Sequence, residues 1–143
     1  LGIALARKGR QQDAIAQYRK AIALRDDYAD AHTNLASLLF EKGETAEAIE
    51  HFRKAKSLPP EDARSHLRLA IALERAGETA EAISEFRRAL VLDPSNARAR
   101  YHLAKALDRA GNRDEARIEA ARAVELDPSQ SDFKALQEQL KEK

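Results

Sequence analysis

Gly77 to Leu92 reads GETAEAISEFRRALVL, and this stretch decides the fold. After the glycine turn, Ala82, Ile83, Phe86 and Ala89 recur at the spacing of one helical face, with polar residues between them. Working outward, Gly9, Gly43, Gly77 and Gly111 stand 34 residues apart. Each is followed five residues later by Ala14, Ala48, Ala82 or Ala116, and seven further on by Ala21, Ala55, Ala89 or Ala123. Between those alanines sit Tyr18, Phe52, Phe86 and then Ala120, while Leu24, Leu58, Leu92 and Leu126 close each unit. The heptapeptide GETAEAI occurs twice, at Gly43 and at Gly77. A fixed period that carries two helical patterns describes stacked helix-turn-helix units, each burying its apolar face against its neighbours.

Composition narrows the classes of function. The 143 residues carry 25 Lys and Arg against 24 Asp and Glu, so net charge gives no argument for nucleic acid or an anionic membrane. Any charge message must be positional. With no Cys there is no disulfide framework, thiolate nucleophile or Cys-based metal site. No apolar run is long enough to span a bilayer, and Leu1 follows no basic and apolar leader, so we read neither membrane insertion nor a signal peptide. We expect a soluble protein, with the cytoplasm favoured over the periplasm. The alanine- and arginine-rich wording suggests a bacterial source. Leu1 stands in the middle of a helical pattern, from which we expect a fragment of a longer chain.

In order, residues 1–28 read as a partial unit, 29–62, 63–96 and 97–130 as complete units, and 131–143 as a C-terminal capping helix. Residues 1–8 are the end of a first helix, and a second runs from about Gln12 to Arg25. Asp26 stands where later units have Pro60, Pro94 and Pro128, which keeps acidic helix-start chemistry but loses the fixed proline angle. Helices are expected near Ala31 to Lys42 and Ala46 to Leu58, with Thr45 and Thr79 as caps and glycine as the stop. The third complete unit departs from the pattern, since Arg117 replaces Ile49 and Ile83 and Ala120 replaces Phe52 and Phe86. Its second helix has a thinner apolar face. Phe133, Leu136 and Leu140 give the last helix its own apolar stripe.

Leu69, Ala70, Leu73, Gly77, Ala82, Phe86, Ala89 and Pro94 together resemble the tetratricopeptide repeat family, and the resemblance covers nearly the whole chain. It implies an all-α, right-handed α-α superhelix serving as a protein-interaction module. It also implies that the first helix of each unit lines a concave groove that holds a partner peptide. The candidate partner-binding residues are then Asn34, Arg64, Leu67, Arg68, Ile71, Arg75, Arg98, Tyr101, His102, Lys105 and Arg109. This strip becomes predominantly basic along the chain, so an acidic or C-terminal partner segment is the natural counterpart. Asn34, Arg64 and Arg68 resemble three of the five places of a carboxylate clamp known in the family. Of the other two, one falls outside the chain and one is Ile3. Against this stands the reading of the arginines as a solvated helix face. Tyr101 is either an interface anchor or packed on Leu67.

His32 and His66 hold equivalent places where the family often has a large aromatic, and we expect them to pack between the helices of one unit. His51 lies on a second helix and His102 in the groove, so no histidine pair has the i, i+4 spacing or the carboxylate partner of a zinc site. No catalytic motif occurs, so we expect no active site, no metal and no cofactor. Two other readings remain open. One is a non-catalytic arm of a larger enzyme such as a glycosyltransferase. The other is a scaffold that self-associates through the N-terminal face around Leu1, Ile3 and Leu5. Nucleic acid is disfavoured because Glu74 and Asp108 interrupt the basic strip.

Overall fold

The computed structural model describes residues 10–59 and 61–142. The expectations placed on residues 1–8, on Pro60 and on the self-association face lie outside them. Among the described residues there are eight helices and no strand: α1 (Gln11–Leu24), α2 (Ala29–Lys42), α3 (Thr45–Lys56), α4 (Ala63–Ala76), α5 (Thr79–Leu92), α6 (Ala97–Arg109), α7 (Arg113–Leu126) and α8 (Ser131–Glu142). The chain divides into two compact units, Leu1–Ser65 and His66–Lys143.

In the first unit α2 packs against both α1 and α3. Its core is built from the periodic positions, with Ala14, Ile15 and Tyr18 from α1, Leu35, Ala36 and Leu39 from α2, and Ala48, Ile49, Phe52 and Ala55 from α3 all buried. Alanine at the recurrent positions lets helix axes approach closely, and the larger residues fill what remains between them. In the second unit α6 packs against α5 and α7, and α7 against α8. Phe86 is fully buried there, together with Leu69, Leu73 and Leu107. Truncating Phe86 to Ala would remove about 3–5 kcal/mol.

Gly43, Gly77 and Gly111 end α2, α4 and α6 in the left-handed region, at φ of 90°, 84° and 84°. At the first of these turns the amide of Gly43 donates to Phe40 O at 3.1 Å and that of Glu44 to Leu39 O at 2.9 Å. The same two bonds recur at Gly77 and Gly111. This paired closure satisfies carbonyls that the helix end would otherwise orphan, and it requires a residue tolerant of positive φ.

The caps differ from expectation. Thr45 and Thr79 are already the first helical residues, and neither α3 nor α5 has a side-chain cap bond. Their hydroxyls instead donate back to Gly43 O and Gly77 O at 3.5 and 3.4 Å. Real caps sit on first helices. Asp62 Oδ1 accepts from the Ser65 amide at 2.9 Å, and Asn96 Oδ1 from the Ala99 amide at 3.0 Å.

The thin face of α7 is completed from elsewhere. Ala116, Ala120 and Ala123 are all buried, and α8 supplies bulk through buried Phe133, Leu136 and Leu140. Arg117, in the place of an isoleucine, donates from Nε to Leu140 O at 2.8 Å and so ties α7 to the last turn of α8.

Candidate functional site

Each candidate residue lies on a first helix. Asn34 is half-buried on α2, and its amide makes no hydrogen bond among the described residues. On α4, Arg64 is exposed beside Asp62, whose carboxyl it helps to stabilise. Leu67 and Ile71 are half-buried on the same helix, while Arg68 and Arg75 already have partners. Asn34 and Arg64 belong to the first unit and Arg68 to the second.

The second unit holds the densest cluster. Glu74 of α4 is buried and gathers three of the expected basic residues from α6. His102 Nδ1 lies 2.8 Å from Oε2, Lys105 Nζ 3.0 Å from Oε1 and Arg109 3.5 Å from Oε1. Burial pushes the Glu74 carboxyl up, but hydrogen bonds from His102 and Lys105 and their charges outweigh it, leaving its pKa below the ordinary value. Glu74 therefore neutralises the strip it was expected merely to interrupt.

Tyr101 stacks on Phe133 of α8, with centroids 4.8 Å apart and planes at 26°. The packing partner weighed from sequence was Leu67; the stacking partner lies on the last helix. Lys105 Nζ stands 5.4 Å from the Tyr101 ring centroid, and His102 meets the ring edge-on while stacking over Phe86. Two open clefts meet at this ring. One of about 330 Å³ is lined by Tyr101, Lys105, Asp108, Arg109, Asp132 and Leu136, among others. The other, of about 560 Å³, adds Arg98, His102, Asp127 and Phe133. Arg98 is exposed there and makes no side-chain hydrogen bond or ion pair among the described residues.

Asp132, Phe133 and Leu136 were missed as lining residues because the last helix was read only as a cap, and Asp127 because it lies in the turn that precedes that helix. The signal was available in the period, since α8 begins at Ser131, 34 residues after α6 begins at Ala97. Its residues continue the first-helix phase. The histidines also have partners that spacing did not reveal. His66 Nδ1 lies 2.6 Å from Glu85 and His102 2.8 Å from Glu74, across separations of 19 and 28 residues. No group of three or more His, Cys, Asp and Glu able to hold a metal occurs among the described residues.

Family models agree with the repeat geometry. A tetratricopeptide repeat model matches residues 73–140, a TPR repeat model residues 2–43 and a further tetratricopeptide repeat model residues 29–62. The chain belongs to the tetratricopeptide repeat family. No curated protein matches it by sequence. Among solved structures it is similar to MamA, at 22% identity and a TM-score of 0.88 over 99% of this chain and 89% of that one. It is similar also to YrrB, described as a TPR protein with an unusual peptide-binding site, at 24% identity and a TM-score of 0.88 over 97% of this chain and 72% of that one. A third is the first TPR of Spaghetti (RPAP3) bound to the HSP90 peptide SRMEEVD, at 22% identity and a TM-score of 0.77, covering 80% of this chain and 90% of that one. At these identities the likeness shows the fold, and the all-α superhelix of helix-turn-helix repeats expected from the sequence is the fold these tetratricopeptide proteins share. Among the described residues no helix is long and apolar enough to cross a membrane.

Proposed function

We propose that this tetratricopeptide chain is a protein-interaction module that takes a partner segment in the clefts at Tyr101, with Arg98 as the residue that meets a partner carboxylate. The observation that carries this reading is the contrast between Arg98 and its basic neighbours. Lys105 and Arg109 are already drawn to Glu74, whereas Arg98 projects into the larger cleft unpaired among the described residues. A carboxylate arriving there gains a charge-assisted bond, and the exposed part of Tyr101 offers an apolar surface beside it. Asp127 and Asp132 line the same cleft. They favour a segment that carries one acidic group next to apolar or donor groups over a run of acids. Peptide-binding relatives of the same fold support the role. Within the same proposal, Arg64 and Arg68, four residues apart on α4, are separate candidates for a C-terminal carboxylate.

Amide chemical-shift mapping tests the location. Titrating the isotope-labelled chain with a short peptide that carries one glutamate between apolar residues should perturb Arg98, Tyr101, Lys105 and Leu136 first. Perturbations confined to second helices, with those residues unmoved at saturation, would contradict the cleft.

A further inference from the structure

One position recurs in each repeat with a changing pair of side chains. His32 of α2 faces His51 of α3, His66 of α4 faces Glu85 of α5, and Arg100 of α6 faces Glu119 of α7, always 19 residues apart. His32, His66, Glu85 and Glu119 are buried, so each pair works in surroundings where water screens little.

The His32–His51 pair has its hydrogens dictated by geometry. His32 Nε2 lies 3.0 Å from the backbone carbonyl of Asp26, which can only accept, so Nε2 carries a proton. In the neutral ring Nδ1 is then an acceptor, and His51 Nδ1, 3.0 Å away, must donate to it. A further proton can enter at His51 Nε2 without breaking this bond. The next can enter only at His32 Nδ1, where it destroys the bond and leaves two imidazolium rings in contact.

The surrounding charges do not remove the conflict. Asp26 Oδ1 is 3.7 Å from His32 Nε2, but Lys54 of α3 holds that carboxylate at 2.6 Å. Glu47 of α3 is 3.8 Å from His51 Nε2 and is held at 2.8 Å by Arg19 of α1, while Glu50 is the remaining acid that acts on His51. Each acid in contact with the pair thus has a cation of its own. Burial holds His51 below its ordinary 6.5, and a charge on His32 would push it further down.

We propose that the His32–His51 pair makes α2 and α3 an acid-labile repeat, in a chain whose corresponding pairs at His66–Glu85 and Arg100–Glu119 gain or keep attraction when protons are added. Below about pH 6.5 the unfolded first unit takes up protons at this pair that the folded pair resists, with His51 held below its ordinary value and a ring nitrogen of each imidazole committed to the shared hydrogen bond. Stability from the neutral pair is present above that pH and is lost as pH falls. Each excess proton raises the open-to-closed ratio about tenfold per pH unit. Because repeats open locally, the response stays with α2 and α3.

Hydrogen exchange followed by mass spectrometry, corrected for intrinsic rates, reads this at pH 7.5, 6.5 and 5.5. Protection in residues 29–56 should fall about tenfold between pH 6.5 and 5.5, relative to residues 97–126. His51→Glu recreates the pairing of the next repeat and should abolish the fall. Parallel changes in the two segments, or an undiminished fall in the variant, would overturn the proposal. If His51→Glu does not fold, imidazole resonances of the wild-type chain decide. Full protonation of both rings with exchange unchanged contradicts the device, and protonation coincident with the loss of protection supports it.

Discussion

Glu74 on α4 accepts the Nδ1 proton of His102 on α6 at 2.8 Å, and the same buried carboxylate draws in Lys105 at 3.0 Å. This pairing decides which cations of the basic strip are free to meet a partner. Replacing Glu74 by Gln should cost about 1–3 kcal/mol of stability, since a buried charged acceptor is lost from a shared network. The same change should strengthen binding of acidic peptides several-fold by releasing Lys105 and Arg109. Thermal unfolding and fluorescence anisotropy on one variant therefore move in opposite directions, and a loss of both would show that the network is needed to shape the cleft.

The acid limb of stability follows from the same residue. The folded Glu74 carboxyl lies below its ordinary 4.5, so its stabilisation is complete above that value and lost as pH falls through the folded one. Circular dichroism between about pH 5 and pH 2 should show a shallower acid transition for Glu74→Gln than for the wild type.

The turn glycines can be tested without steric ambiguity. Gly77 has φ +84°, and a Cβ built there meets nothing within 4 Å, so Gly77→Ala carries a backbone cost alone. That cost is about 1–2 kcal/mol, and Gly77→Asn should recover part of it because Asn tolerates the left-handed region. Comparing thermal midpoints of the two variants checks this.

Arg100 and Glu119 form a pair 2.7 Å apart, with their side chains 16% and 9% exposed. Removing either partner alone should cost about 3–5 kcal/mol, whereas Arg100→Met with Glu119→Leu should be neutral or stabilising. A double-mutant cycle in urea gives the coupling, and additivity of the two single changes would refute it.

The fold was legible because its determinants are periodic. Gly43, Gly77 and Gly111 and the alanines behind them repeat at one spacing, and helix packing follows from that spacing alone. Helix bounds came within two residues, but the caps did not follow the threonines. The first-helix position is set by the two bonds that close each glycine turn, which places Thr45 and Thr79 inside their helices. The site was less legible because it depends on pairs remote in sequence. Glu74 looked like an interruption of a basic strip until its three partners, 28 to 35 residues on, were seen around it. Tyr101 could be placed on the first helix of its unit, but its neighbour Phe133 belongs to a helix that sequence presented as an end cap. The acids Glu47 and Glu115 lie in the first turns of α3 and α7, and each takes an arginine 28 residues earlier, Arg19 and Arg87, at 2.8 Å. Those bridges are exposed and contribute little.

Fluorescence anisotropy of labelled acidic peptides, each with a free and an amidated C-terminus, is the most direct test of partner capture. The chain would be compared with Arg98→Ala and with Arg64→Ala/Arg68→Ala. We predict that the peptides bind, that Arg98→Ala weakens every one of them about tenfold, and that the double variant removes the preference for the free carboxylate. Equal binding to the wild type and to both variants, or none to any, would contradict the account.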